Sequence, residues 1–270
     1  MPIGDSYHMI SKSPAAGLFC RLFGTNDIHT HIRLRPILKF IKKILGESGE
    51  VVTDIVELGC GNGINAFEFL KISKRTRSAI CYTGIDSDEN SIAKASSLRP
   101  RVEKGDMLAF YHGDAADFLE NVVDSAADIV LLSDIVEHVD NPIKMLGEAL
   151  RCLKDGGLFV VSVPTPLYPR IFGRRFHYRI GHVLDGYTLE SLDSLFVDNF
   201  GCARVSFKYN TGLVSNLGCW LYYNLLGSSN RIFAYAKYLI LSPFVLLDLY
   251  NSHYVSCTLF AVYKKGPDGQ

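Results

Sequence analysis

Two short stretches of the chain carry residue types that could do chemistry. The first, VELGCGNG, places Glu57 two positions before the first of three alternating glycines, Gly59, Gly61 and Gly63. Glycine lets a backbone adopt positive φ and approach a ligand closely, so this turn predicts a site for a small cofactor. The second, SDIVEHV, spaces Asp134, Glu137 and His138 as acid-x-x-acid-His. Two carboxylates and an imidazole suit a divalent metal, and the imidazole alone suits a general base.

The elements around these stretches alternate between strand-like and helix-like patterns. Apolar, β-branched runs at 52–58, 79–86, 107–114, 127–134 and 157–163 predict strands covered on both faces. A helix is predicted over 188–199 and further strands over 202–209 and 252–265. The pattern predicts an α/β fold: a doubly wound, Rossmann-like sheet of about seven strands with an antiparallel last strand, in a three-layer αβα sandwich.

The remaining segments divide the chain into parts. Residues 1–50 are predicted to form an N-terminal arm and an amphipathic helical segment, in which Pro36 ends or kinks a helix and Gly46 stops one. Residues 51–209 and 252–270 are predicted to form the cofactor-binding domain. The apolar, aromatic stretch 210–251 is interpreted as an inserted helical element. A lid, a dimer surface, a membrane-surface element and an extension of the core all remain open for it.

Composition limits the partners and the compartment. Lys plus Arg and Asp plus Glu are equal at 28 each, so no overall basic field favours nucleic acid. Seven cysteines without a Cys-x-x-Cys pair make a poor disulfide or zinc framework, which favours a reducing, cytoplasmic compartment. No leader is expected at the N-terminus, and peripheral contact with the inner face of a membrane is left open. The oligomeric state is not predicted.

The family resemblance lies in the glycine turn and its acid. Gly61, Gly63 and Ala66 satisfy the dinucleotide spacing G-x-G-x-x-A, so the turn alone also permits nicotinamide. The longer run ELGCGNG resembles the first motif of the class I S-adenosylmethionine-dependent methyltransferases, and the resemblance extends from about residue 37 to 207. It implies S-adenosylmethionine as cofactor, with Glu57 helping to hold its methionine part. A carboxylate also attracts a sulfonium and repels a pyrophosphate.

Further cofactor residues follow along the strand ends. Asp86 ends the second strand, where a carboxylate can accept hydrogen bonds from ribose hydroxyls. Asp114 and Ala115 resemble the family's adenine-edge position, and Ser133 at the fourth strand end is assigned to the same cofactor site. Asp86 and Asp114 could also serve as helix caps.

The acceptor is expected beyond strand four. There, the acid-x-x-acid-His pattern resembles the ubiquinone-biosynthesis O-methyltransferases, which implies a metal such as Mg²⁺ on Asp134, Glu137 and His138, or His138 as base. His138 and His182 are the predicted catalytic residues, and O-methylation is the predicted reaction. A basic loop, with Arg170, Arg174, Arg175 and Arg179, favours an anionic acceptor that is a small molecule, a glycan or a lipid-linked intermediate. The following GHVLDGYTLESL departs from the ubiquinone enzymes, so their substrate is not carried over.

Two other functions remain as alternatives. A nicotinamide-dependent sugar epimerase or dehydrogenase would share the glycine turn, but such enzymes usually carry a Tyr-x-x-x-Lys pair that does not occur at a suitable helix here. A catalytically inactive scaffold that keeps the cofactor site is the third possibility.

Overall fold

The computed structural model describes residues 28–49, 51–97, 105–179, 181–224, 240 and 252–266. The predicted arm at 1–26 and most of the predicted insertion at 210–251 lie outside these residues.

The described chain alternates strands and helices around one sheet. The strands are β1 (Val52–Leu58), β2 (Ala79–Asp86), β3 (Met107–His112), β4 (Ala127–Ser133), β5 (Leu153–Pro164), β6 (Ala203–Tyr209) and β7 (Thr258–Lys264). The α-helices are α1 (Ile28–Ser48), α2 (Ile64–Thr76), α3 (Glu89–Ser97), α4 (Ala115–Leu119), α5 (Ile143–Cys152), α6 (Tyr168–Phe172), α7 (Arg174–Arg179), α8 (Leu189–Asp193) and α9 (Leu213–Asn224). A 3₁₀ turn covers Val136–His138, and a π-helical turn continues α8 over Ser194–Asp198.

The sheet has the predicted doubly wound topology. Its order is β3-β2-β1-β4-β5-β7-β6, and β7 runs antiparallel to both β5 and β6 while the other neighbours are parallel. The predictions of a seven-stranded Rossmann-like sheet and of an antiparallel last strand are therefore confirmed. In such a sheet the order reverses between β1 and β4, and ligands bind beyond the carboxyl ends of the strands at that point.

Two apolar cores cover the two faces of the sheet. Strand β4 shows why its sequence does not alternate between apolar and polar residues: Ile129 and Leu131 enter one core, and Val130 and Leu132 enter the other. One core holds the apolar faces of α1 and α2, and the other holds those of α5, α8 and the π-helical turn. Helices on both faces make the predicted three-layer sandwich.

The structure differs from the sequence prediction at several boundaries. Helix α1 runs unbroken through Pro36 and past Gly46 to Ser48. Proline removes one main-chain hydrogen bond, but Ile37 and Ile41 beyond it remain fully buried against the sheet and hold the helix in place. The last strand begins at Thr258, because residues 253–255 form a turn. None of the described helices combines the length and the apolar composition that crossing a bilayer requires.

Candidate functional site

The glycine turn follows β1 at the point where the strand order reverses. Gly59, Gly61 and Gly63 all have positive φ, at 71°, 52° and 76°. The N–H groups of Gly59 and Cys60 donate to the main-chain oxygen of Ile85 in β2. The turn is therefore held against the end of the neighbouring strand.

Asp86 points into this turn. Its Oδ2 accepts a hydrogen bond of 2.7 Å from the Gly61 N–H, and its Oδ1 accepts one of 2.8 Å from the Asp88 N–H. A carboxylate offers about four acceptor positions, so capacity remains for hydroxyl donors. Asp86 thus braces the turn, whereas the carboxylate that caps α3 is that of Asp88, which accepts from the N–H groups of Asn90 and Ser91.

The three glycines face different surroundings. A Cβ on Gly59 would lie 3.0 Å from Ile135, and a Cβ on Gly63 would lie 2.8 Å from the ring of Phe110. A Cβ on Gly61 would meet nothing within 4 Å. Close packing at Gly59 and Gly63 therefore leaves no room for a side chain. Gly61 borders open space that a ligand could occupy.

Glu57 lies beneath the turn and is 1% exposed. One of its oxygens accepts a 2.5 Å hydrogen bond from Asn65 of α2, and the other accepts one from the Tyr82 hydroxyl of β2. Burial raises the pKa of Glu57 to about 7, and these two hydrogen bonds limit the rise. Because Glu57 is buried and both of its oxygens accept from protein donors, it supports the turn, and its contact with the methionine part of the cofactor stays a prediction.

Two carboxyl groups, Glu57 and Asp86, make the electrostatic potential at the turn more negative. Burial raises the pKa of the Cys60 thiol, and the nearby carboxylates of Glu57 and Asp86 raise it further. A field that opposes a thiolate favours a positively charged ligand.

The other predicted cofactor residues lie along the same edge of the sheet. Asp114 caps α4, its Oδ1 accepting from the N–H groups of Ala116 and Asp117 at 2.8 and 3.2 Å. Ala115 is the first residue of that helix. Ser133 is buried at the end of β4, paired with Ser162 of β5.

Beyond β4, the chain turns back over the glycine turn and then forms the 3₁₀ segment that carries Glu137 and His138. Ile135 packs on Gly59, so this segment lies beside the predicted cofactor site. Glu137 is fully buried, and neither of its carboxylate oxygens has a hydrogen-bond partner. Burial, together with the charge of Asp134, raises the pKa of Glu137 well above its usual range.

Two imidazoles complete a cluster around this carboxylate. His182 Nε2 lies 3.9 Å from Glu137 Oε1, and the rings of His138 and His182 meet edge to face with centroids 4.6 Å apart. One ligand atom each from Glu137, His138 and His182 lie within 4.8 Å of one another. The predicted catalytic pair His138 and His182 is thus brought together.

Hydrogen bonds to main-chain oxygens fix which ring nitrogens carry protons. A carbonyl oxygen only accepts, so His177 Nε2 donates to Leu184 O at 2.9 Å, and His138 Nδ1 donates to Gly181 O at 2.9 Å. His177 Nδ1 then accepts from His182 Nδ1 at 3.0 Å. This arrangement leaves lone pairs on His138 Nε2 and on His182 Nε2. Burial lowers the pKa of His182 to about 3, which keeps it neutral.

Asp134 takes a different position from its neighbours in the motif. It has a positive φ of 51°, and its carboxylate forms an ion pair with Arg33 of α1. Burial raises the pKa of Asp134, and Arg33 opposes that rise. The structure therefore groups Glu137 and His138 with His182, and pairs the third predicted metal ligand, Asp134, with a cation.

The predicted basic loop forms the helical hairpin α6–α7 beside this cluster. Arg170, Arg174, Arg175 and Arg179 are all exposed. Arg174 lies 3.8 Å from Asp185, and the Arg179 guanidinium lies over the Phe176 ring.

Several residues that build the site are not among the site residues predicted from the sequence. Asn65 and Tyr82 hold Glu57, His177 orients His182, and Arg33 pairs with Asp134. The five-residue spacing of His177 and His182 was the only signal, since the other partners come from elements far apart in the chain.

Comparison with known proteins agrees with this geometry. A methyltransferase domain family matches residues 50–185. A probable S-adenosylmethionine-dependent methyltransferase of Mycolicibacterium smegmatis is 30% identical over 112 residues, 42% of this chain and 38% of its own length. The ubiquinone biosynthesis O-methyltransferase of Maricaulis maris is 30% identical over 144 residues, 48% of this chain and 53% of its own length. The chain thus spans about two fifths to one half of these curated relatives.

The fold comparison extends over most of the chain. A crystal structure of an S-adenosylmethionine-dependent methyltransferase from Archaeoglobus fulgidus is 18% identical and superposes with a TM-score of 0.56, covering 92% of this chain and 98% of that one. At this identity the likeness establishes the fold. Because the family match covers half of the chain and contains both the glycine turn and the Glu137–His138–His182 cluster, the chain belongs to the methyltransferase domain family.

Proposed function

We propose that the chain is an S-adenosylmethionine-dependent O-methyltransferase acting on a small-molecule, glycan or lipid-linked acceptor. The observation that carries the proposal is the buried Glu137 carboxylate, which lacks hydrogen-bond donors and has a ligand atom within 4.8 Å of one on each of His138 and His182, beside the glycine turn. A buried carboxyl group without hydrogen bonds lowers the free energy of unfolding. Groups of this kind are common at catalytic and ligand-binding sites.

On the cofactor side, the residues present fit S-adenosylmethionine. When bound, this cofactor supplies a methyl group on a positively charged sulfur. The open space at Gly61 would admit it, the spare acceptor positions of Asp86 would take its ribose hydroxyls, and the negative field at Cys60 suits its charge. Asp114 and Ala115 would border its adenine, as the family resemblance implies.

On the acceptor side, the cluster suits a nucleophile that holds a proton. His138 Nε2 keeps its lone pair and is accessible to solvent, so it can take the proton from an acceptor hydroxyl as the methyl group is transferred. His182, which is buried and neutral, and the Glu137 carboxyl lie beside His138 and form the rest of the cluster. Oxygen as the methylated atom is also supported by the Maricaulis maris relative, whose name specifies O-methylation.

Glu137, His138 and His182 could also hold a divalent cation. Such an ion would lower the pKa of an acceptor hydroxyl. The donor set fits, because Glu137 offers two oxygens without hydrogen-bond donors and each imidazole keeps its Nε2 lone pair. Two nitrogen donors favour a transition metal such as Zn²⁺ over Mg²⁺ and Mn²⁺, which prefer oxygen.

A methyl-release assay over a panel of hydroxylated acceptors tests the reaction. We expect transfer by the natural chain, and a loss of about 100-fold or more in His138→Ala if the imidazole is the base. His253→Ala, which removes an exposed imidazole outside the cluster, is the matched control and should retain activity. Full activity in His138→Ala would remove this residue from the mechanism.

Calorimetry with Mn²⁺, Zn²⁺ and Mg²⁺ tests the metal without any turnover. Glu137→Gln keeps the side-chain shape but cannot ionise to bind a cation, and we expect it to abolish binding. Glu120→Gln makes the same change in an exposed acid outside the cluster, which pairs with Lys144, and should retain binding. Equal affinities in both variants would contradict the assignment of Glu137 as a metal ligand.

A further inference from the structure

The helices on one side of the acceptor cluster carry an excess of positive charge. Helix α9 contacts α1 and α6, and α6 contacts α7. Exposed cations on α1 and on the α6–α7 hairpin are Arg35, Lys39, Lys42, Lys43, Arg170, Arg174, Arg175 and Arg179. Glu47 is the only acidic residue among the residues of these four helices. In a chain with no net charge, this is a strong local asymmetry.

Helix α9 turns its polar side toward the protein and its apolar side outward. Ser215, Asn216 and Cys219 are buried. Asn216 donates a side-chain hydrogen bond to Val255 O, and Cys219 packs in a cluster with Tyr168 and Phe172 of α6. Leu213, Leu217 and Trp220 follow at positions i, i+4 and i+7, which places them on one side of the helix.

These outward residues are large and accessible. Leu213 is 66% exposed and Leu217 is 57% exposed, and Trp220 is also exposed. The sequence that follows α9, from 225 to 251, continues rich in leucine and aromatic residues and has Asp248 as its only acid. Apolar side chains flanked by cations, with an aromatic residue among them, are the composition of a segment that lies in a membrane interface.

We propose that this surface, which we call the basic–apolar face, docks the protein onto an anionic lipid bilayer. It comprises the eight cations named above together with Leu213, Leu217 and Trp220. The leucines and Trp220 would enter the boundary between headgroups and acyl chains, and the guanidinium and ammonium groups would contact anionic headgroups. The docking would bring the acceptor cluster, next to the α6–α7 hairpin, close to a lipid-borne acceptor. The docking itself does not depend on methyl transfer, so binding and activity are separate tests.

Trp220 makes the test direct, because it is the only tryptophan in the chain. The full chain is mixed with vesicles of phosphatidylcholine alone, or with about one third phosphatidylglycerol, near physiological salt. We expect co-sedimentation and a blue shift of tryptophan emission with the anionic vesicles and neither change with the neutral ones. High salt should weaken the binding.

Two variants separate the apolar and the charged contributions. Leu213→Glu/Leu217→Glu places charges in the apolar side of α9, and Arg170→Glu/Arg175→Glu reverses two cations of the hairpin. Each should weaken vesicle binding by about tenfold or more. The matched controls have the same changes in net charge: Met107→Glu/Val123→Glu, two exposed apolar residues in β3 and in the loop between α4 and β4, and Arg75→Glu/Lys208→Glu. Both controls should bind as the natural chain does.

Circular dichroism and binding of S-adenosylhomocysteine would verify that each variant is folded. The proposal is overturned if the natural chain does not bind anionic vesicles, or if variants and controls bind equally. It is also overturned if Leu213→Glu/Leu217→Glu converts a dimer to a monomer while vesicle binding stays unchanged, because the face would then be an interface between two copies of the chain.

Discussion

At the scale of single residues, the site contains two buried carboxyl groups with different surroundings. Glu57 has a donor for each oxygen, from Asn65 and Tyr82, whereas Glu137 has none. A paired acid stabilises its neighbours, and an unpaired one is available to a ligand. The paired Glu57 therefore supports the glycine turn, whereas the unpaired Glu137 is the candidate ligand in the acceptor cluster.

The raised pKa of Glu57 predicts a specific pH dependence of stability. Its folded pKa of about 7 lies above the ordinary value of 4.5, so the folded chain binds this proton more tightly than the unfolded chain does. The contribution of Glu57 to the free energy of unfolding therefore falls as pH rises from about 4.5 to about 7. Glu57→Gln removes this loss, so its stability relative to the natural chain should increase by on the order of 2–3 kcal/mol between pH 5 and 8.

Urea unfolding of both proteins across this pH range is the measurement. Glu190→Gln is the control: hydrogen bonds lower the pKa of that exposed carboxyl below its ordinary 4.5, so its difference from the natural chain should not vary between about pH 5 and 8. A difference between Glu57→Gln and the natural chain that does not vary with pH would show that Glu57 ionises normally in the folded state.

At the scale of elements, the loop 181–187 positions His182. Val183 and Leu184 donate main-chain hydrogen bonds to Glu137 O, and Tyr187 donates one to Pro164 O. The loop passes so close to β5 that a Cβ on Gly186 would lie 2.6 Å from Pro164 O. Only glycine fits at this approach.

Gly186→Ala should therefore destabilise the fold by on the order of 2–4 kcal/mol, because main-chain atoms cannot move aside for the new methyl group. Gly173→Ala is the matched control: its φ is also positive, at 91°, but its Cβ would meet nothing within 4 Å. It should cost about 1–2 kcal/mol from backbone strain alone. Equal losses in the free energy of unfolding would mean that the loop does not pack as described.

At the scale of the whole molecule, the sequence predicted the architecture because each strand carries an apolar run and each connection carries turn residues. It located the glycine turn, Asp86 and the Glu137–His138 pair, since these lie at strand ends that the chain order alone identifies. The sequence did not predict that Glu137 lies with His182 or that Asp134 pairs with a cation instead. That choice depends on Arg33, which comes from a helix about 100 residues earlier in the chain.

Boundaries were also harder to predict than the elements themselves. Of the two outcomes expected at Pro36, a helix end or a kink, the helix end is absent, because burial of the apolar face of α1 outweighs one lost hydrogen bond. Tertiary contacts of this kind are not visible in local sequence patterns.

The central claim is that S-adenosylmethionine lies over the open space at Gly61, held by Asp86. Calorimetric titration with S-adenosylhomocysteine and with nicotinamide dinucleotide tests it most directly, using the natural chain, Gly61→Ala and Gly49→Ala. Gly49→Ala is the matched control for Gly61→Ala, because Gly49 also has a positive φ and open space around its Cβ position. It lies after α1, away from the site. We predict binding of S-adenosylhomocysteine alone, weakened about tenfold or more in Gly61→Ala and unchanged in Gly49→Ala. Binding of the dinucleotide without S-adenosylhomocysteine, or undiminished affinity in Gly61→Ala, would contradict the account.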